Sequence, residues 1–214
     1  KSKIYVTWRE QEKTALLTSI EGVDVGDWSS DGAYVAFTVI DGEDQGVWTR
    51  NPDGVNLRKL GNATSTPDHS PVFSPDSKYI AFISERDGNS DIYITETVDE
   101  GDGKFFGRER RLTQSDAKER ELSWSPNSEW IAFTSGHQKQ SEIYKIRVKK
   151  NGGRPIQLTF NSVRDEDPVW SPNGDSIAFV SDLDGDAEIF IMSSDGRNQN
   201  RLTNNDADDT NPAW

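Results

Sequence analysis

Apolar residues along the chain fall into short clusters of a few positions, parted by Pro, Gly, Asp, Asn and Ser, and nowhere recur at helical spacing for more than one or two turns. Alternating or β-branched clusters bounded by turn residues predict strands. One cluster returns along the chain as Val35-Ala36-Phe37, Ile80-Ala81-Phe82, Ile131-Ala132-Phe133 and Ile177-Ala178-Phe179, at spacings of 45, 51 and 46 residues. Ahead of each stands an aromatic, a serine and a turn: Trp28-Ser29-Ser30-Asp31-Gly32, Phe73-Ser74-Pro75-Asp76, Trp124-Ser125-Pro126-Asn127 and Trp170-Ser171-Pro172-Asn173-Gly174. Behind each come Val47-Trp48, Ile92-Tyr93, Ile143-Tyr144 and Ile189-Phe190, then Leu60, Leu112-Thr113, Leu158-Thr159 and Leu202-Thr203.

Each repeat therefore predicts four antiparallel strands. Proline presets the backbone of the first turn, and Asp, Asn and Gly accept its tight conformations. A period near 45 with four strands per unit predicts an all-β fold, a β-propeller whose sheets bury the aromatic and Ala-Phe positions between neighbours. The predicted organisation is a single propeller domain over residues 1–214. Residues 24–65, 66–117, 118–163 and 164–207 are complete blades; residues 1–23 are a partial blade and 208–214 the first strand of a further one. Ile4-Tyr5-Val6 matches a third strand and Leu16-Leu17-Thr18 a fourth, so the termini together lack a second strand. An incomplete blade leaves unpaired edges. The preferred expectation is a segment of a longer propeller, and the alternative is a gap filled by a partner or by a second copy of the chain.

The string of aromatic-Ser-Pro-Asp/Asn-Gly, Ile-Ala-Phe, Ser-Asp-x-Asp-Gly-x-x-Glu-Ile-Phe and Arg-Leu-Thr resembles the WD-like repeat of TolB-type propellers. Through it the chain also resembles the propeller domains of prolyl oligopeptidases and dipeptidyl peptidases, and those of certain polysaccharide lyases. The likeness is strongest in 66–99 and 164–214 and weakest in 24–65, where Ser30 replaces Pro and Val47-Trp48 replaces Ile-Tyr. It implies a non-catalytic scaffold that docks a protein or peptide partner at the channel mouth, in a periplasmic or extracellular location. The alternatives are the propeller portion of a larger hydrolase or polysaccharide lyase, or an assembly protein that self-associates through its open strand edge. Such repeats serve many unrelated tasks, so function has to be argued from sites.

Composition narrows the field. Thirty-seven acids against 24 bases give a net charge of −13, which repels phosphate backbones and argues against nucleic acid as a general partner. Seven Trp, five Tyr and nine Phe supply the anchors that a disordered chain lacks. No apolar run approaches the roughly 20 residues of a membrane span. The absence of cysteine removes disulfides, thiol chemistry and Cys-ligated zinc. There is no Gly-x-Ser-x-Gly elbow, and His69 and His137 are too few for a histidine metal centre, so no catalytic residue is expected.

Three polar groupings remain as candidates. Asp182, Asp184, Asp186 and Glu188 flank Gly185 on one loop, with a poorer copy at Asp87-Gly88-Asn89-Ser90-Asp91. Alternating carboxylates of this kind could hold Ca²⁺, although Asp-Gly is also a favoured hairpin turn. No other cofactor is implied. Asp68, His69, Glu119, Glu121, Asp165, Asp167, Asp208 and Asp209 precede the first-strand aromatics and would ring one mouth of the channel, attracting basic peptides or amines. Two basic stretches stand out against the acidic background: Lys104, Arg108, Arg110, Arg111, Lys118 and Arg120 with Phe105-Phe106, and then Lys145, Arg147, Lys149, Lys150 and Arg154. They read as a partner surface or as an ordinary mixed-charge edge. Asn62-Ala63-Thr64 fits a glycosylation acceptor, a common pattern of little weight.

Overall fold

The computed structural model describes residues 3–8, 13–17, 23–40, 42–60, 68–99, 104–137, 140–148 and 153–214. Thr18, the Asn62-Ala63-Thr64 triplet, Lys149 and Lys150 lie outside the described residues. Among the described residues every regular element is a strand. A two-stranded sheet of β1 (Tyr5–Trp8) and β2 (Lys13–Leu16) comes first. The next sheet runs in sequence order through β3 (Val23–Trp28), β4 (Val35–Val39), β5 (Gly46–Arg50) and β6 (Arg58–Lys59). It is followed by β7 (His69–Phe73), β8 (Tyr79–Ser84) and the long β9 (Asp91–Asp99), whose outer edge pairs with both β10 (Lys104–Phe106) and β11 (Arg110–Arg111). The insertion in this repeat is thereby absorbed by splitting its fourth strand.

Two further four-stranded sheets complete the chain. One contains β12 (Lys118–Trp124), β13 (Trp130–His137), β14 (Gln140–Arg147) and β15 (Ile156–Gln157). The other contains β16 (Asp165–Trp170), β17 (Ser176–Ser181), β18 (Glu188–Ser193) and β19 (Asn200–Arg201). The chain divides into two compact units, one of residues 1–89 and 93–111, the other of residues 90–92 and 112–214.

The Ala-Phe cluster is the second strand of each sheet, buried on both faces. In the first unit, Val35, Phe37 and Val39 pack with Ile4, Val6 and Leu17 on one side of β4. Ala36 points the other way, toward Phe73, Ile80, Phe82 and Tyr93 of the following sheet. This division follows from the two-residue period of a strand. In the second unit Ile143 and Leu158 meet Trp170, Ile177 and Phe179 in the same manner. Phe37, Phe82, Phe133 and Phe179 are fully buried, each contributing on the order of 2 kcal/mol. The third-strand aromatics sit beside them: ring centroids are 6.0 Å apart for Phe82 and Tyr93, 5.9 Å for Phe133 and Tyr144, and 5.7 Å for Phe179 and Phe190.

The Ser-Pro-Asp/Asn turn has one construction in all four repeats. The serine hydroxyl donates to the side-chain oxygen two residues on, at 2.6 Å for Ser29 to Asp31 and 2.7 Å for Ser74 to Asp76, Ser125 to Asn127 and Ser171 to Asn173. The same hydroxyl accepts the amide of the residue entering the second strand, namely Tyr34, Tyr79, Trp130 and Ser176. Ser30 in place of proline leaves these contacts intact. Each first strand also carries a bulge before its aromatic, and in three of them the bulge holds a left-handed non-glycine residue: Ser70, Glu121 and Asp167.

Candidate functional site

In the second unit, acids that begin first and third strands belong to polar sets built on serine, threonine and asparagine. Glu142 opens the third-strand core of its sheet, and its Oε2 accepts the Thr159 hydroxyl at 2.6 Å. That hydroxyl in turn accepts the Ile143 amide at 2.9 Å. Glu142 Oε1 accepts the Asn161 amide, while Asn161 Nδ2 donates to Asp165 at 2.7 Å and Asp165 accepts Ser181 Oγ across the strand pair. The sequence repeats the arrangement. Asp91 and Thr113 are paired at 3.3 Å, and Ser115 donates to Glu119 at 2.7 Å. Glu188 accepts Thr203 Oγ1 and the Asn205 amide, and Asn205 reaches Asp209 at 2.6 Å.

Asp68, Glu119 and Asp165, expected at a channel mouth, are thus placed in buried polar pairs, whereas Asp208 is exposed and Asp209 half-buried. Burial raises all three buried carboxyls, Glu119 to about 6, against the pull of Ser115 and Ser135. In the first unit Asp68 accepts Arg86 at 2.6 Å, and the same guanidinium reaches Glu109 and lies 4.5 Å from the Tyr93 ring centroid. His69 is half-buried beside Ser70, with its pKa lowered by burial.

Glu121 and Asp167 form a different group. Each occupies the left-handed position of its bulge, φ 56° in both, a conformation uncommon for residues other than glycine. Glu121 Oε2 accepts the Thr134 hydroxyl at 2.6 Å and the Asp167 amide at 2.9 Å, so neighbouring first strands are joined through it. Glu166 lies between Arg120 and Arg164, at 3.6 and 3.4 Å. Partial burial raises the Asp167 and Glu166 carboxyls, and in each case the Glu121 charge pushes the same way. These half-exposed acids form a cluster short of positive charge.

The Asp182–Glu188 loop is neutralised by arginine. Asp182 pairs with Arg164 through both oxygens, at 3.0 and 3.1 Å. Asp184 and Glu188 share Arg201, at 2.7 and 2.6 Å. The Thr203 hydroxyl, with the Asn205 amide and Arg201, holds Glu188 below the usual carboxylate range. Asp186 stands apart from these pairs, half-buried. Among the described residues no three His, Cys, Asp or Glu side chains converge to hold a metal ion. The basic stretches are interleaved with acids as well: Arg86 pairs with Glu109, Arg111 with Asp87 at 3.1 Å, and Arg147 with Glu129 at 2.7 Å. Arg108, Lys118 and Arg154 are exposed, and Lys104, Phe105 and Phe106 are described in their backbone alone.

The family model described as TolB beta propeller domain matches residues 27–182. The chain belongs to the TolB β-propeller domain family. A curated relative, a TolB homolog from Chlorobium luteolum, is 35% identical over 201 residues, covering 94% of this chain and 44% of its own length. The chain therefore spans less than half of that TolB relative. The crystal structure of TolB from Acinetobacter baumannii superposes with a TM-score of 0.70 at 22% identity, over 96% of this chain and 49% of that one. A puromycin-hydrolyzing peptidase of Mycobacterium tuberculosis gives a TM-score of 0.68 at 13% identity, over 94% of this chain and 34% of the peptidase. These structural likenesses establish the fold, a β-propeller of TolB type built from four-stranded antiparallel blades.

Proposed function

We propose that this TolB-family chain is a non-catalytic scaffold that binds a protein or peptide partner carrying basic groups, at the surface where fourth strands pass into first strands. The observation that carries the reading is the Glu121, Glu166 and Asp167 cluster. Three carboxylates are held together on bulged, left-handed or adjacent backbone, with the Glu166 and Asp167 pKa values raised and only two guanidinium groups shared among them. Bulges re-aim side chains, and unusual backbone persists where the surroundings over-determine it. A partner's lysine or arginine would relieve the like-charge repulsion, and the rigid sheets would keep the ordering cost of binding low. Family membership supports a protein partner and a periplasmic location.

Fluorescence anisotropy with a labelled lysine- and arginine-rich peptide tests the reading. Binding should weaken steeply with added salt, and the Glu121→Gln, Asp167→Asn double variant should lose roughly tenfold in affinity. Salt-independent binding, or none at low ionic strength, would refute it. A second reading, the propeller portion of a larger peptidase, rests on the fold shared with the Mycobacterium tuberculosis enzyme. Peptide hydrolysis by the intact natural protein would favour that one.

A further inference from the structure

A cleft of about 550 Å³ opens between the last two four-stranded sheets, at the end where their Ser-Pro-Asn turns lie. The earlier sheet contributes Asn127, Trp130 and Lys145, and the later one Asn173, Asp175 and Ser194. Lys145 Nζ donates to the Ser194 carbonyl oxygen at 2.6 Å and lies 4.9 Å from the Trp130 ring centroid. Burial lowers its pKa, with Asp195 acting in the opposite direction. Among the described residues no carboxylate comes within ion-pairing distance of this ammonium, so a partly desolvated cation faces the cleft with donors to spare.

The corresponding cleft in the first unit, of about 430 Å³, has Asp31, Asp76 and Lys78 in its walls. There the cation is matched: Lys78 lies 3.4 Å from Asp76. In both units the residue two after the turn serine accepts the serine hydroxyl at nearly the same distance, whether it is Asp31, Asp76, Asn127 or Asn173. The amides of Asn127 and Asn173 thus do the structural work of the carboxylates and remove two negative charges beside Lys145. Asp175, which accepts Asn173 Nδ2 at 3.0 Å, keeps an acceptor at the rim. A bare anion would be repelled by Asp175, whereas a ligand with hydroxyl donors beside its carboxylate would satisfy both groups.

We propose that this cleft binds a small hydroxylated carboxylate of the sugar-acid class, its carboxylate on Lys145, its hydroxyls on Asp175 and the asparagine amides, and its ring against Trp130. The volume lies in the range of small-molecule sites, and an aromatic wall with few convergent polar groups is their usual construction.

The test is calorimetric titration of the protein with D-glucuronate, D-glucose and acetate at low ionic strength. Glucuronate should bind saturably and at least ~10-fold more tightly than either control, the margin expected of a charge-assisted hydrogen bond added to neutral ones. Lys145→Gln should weaken it by ~10-fold, and so should Asn127→Asp, which restores the turn residue found as Asp31 and Asp76 in the other turns and leaves the Asn173–Asp175 hydrogen bond in place. No saturation through the tens-of-millimolar range, equal binding of glucose or acetate, or unchanged affinity in Asn127→Asp would overturn the proposal. Asn127→Asp decides the matter if Lys145→Gln does not fold.

Discussion

Thr159 donates its hydroxyl proton to Glu142 at 2.6 Å while the same oxygen accepts the Ile143 amide at 2.9 Å, so one side chain satisfies a buried carboxylate and a buried peptide group together. Thr159→Val keeps the shape and removes both bonds. It should cost about 3 kcal/mol in urea unfolding, because leaving buried polar groups unmet is more expensive than the bonds are favourable. Thr203→Val breaks the equivalent contacts, but the Arg201 guanidinium and the Asn205 amide still satisfy Glu188, so it should cost less than half as much.

Glu119 should make stability fall as pH rises. Its pKa is raised from 4.5 to about 6 by burial, so the folded state holds the proton more tightly than the unfolded chain. The stabilisation is complete below about pH 4.5 and is lost as the pH climbs through 6. Glu119→Gln, which cannot ionise, should therefore stabilise the protein at pH 7 by up to about 2 kcal/mol and have little effect at pH 4.5. Unfolding curves of both proteins at the two pH values check this; a variant equally or less stable at pH 7 would contradict it.

Gly26 lies where two first strands of the first unit approach closely. A Cβ there would meet Pro71 Cγ at 2.5 Å and the Ala36 carbonyl oxygen at 2.9 Å. Gly26→Ala should destabilise by about 1–3 kcal/mol through overpacking, read as a lower thermal midpoint. The same change at Gly32, where nothing lies within 4 Å but φ is +70°, probes backbone strain alone.

Calcium should leave the thermal midpoint unchanged, because Arg164 and Arg201 supply the positive charge that the Asp182–Glu188 loop requires. Arg201→Met removes that charge and should lower the midpoint, with calcium then restoring part of the loss. A midpoint that drops on adding chelator to the unaltered protein would show that a cation is bound after all.

The strands were legible because strand periodicity and turn chemistry are local: Val35-Ala36-Phe37 and its copies alternate between two cores, and the Ser-Pro-Asn turns close on themselves. The acids were harder, since whether a carboxylate is solvated depends on what the register sets opposite it. Asp165 faces Ser181 and Glu119 faces Ser135 across their strand pairs. The signal was present, as Ser84, Ser135 and Ser181 each follow the Ala-Phe pair two positions on, but it has meaning only once strands are paired. Arg164 and Arg201 as counter-charges for the Asp182–Glu188 loop were likewise hidden by 13 to 18 residues of separation. The exchange of Asp31 and Asp76 for Asn127 and Asn173 looked neutral in sequence and acquires significance beside Lys145.

The carboxylate-to-threonine chain is out of phase with the sheets themselves. One set runs from Asp91 to Ser135, the next from Glu142 to Ser181, each beginning in a third strand and ending in the second strand of the sheet that follows. A gene duplication or a modular graft cut within the loop between second and third strands would transmit every set whole, while one cut at the edge of a sheet would sever it. The inheritable brick of this architecture is thus half of one blade mortared to half of the next.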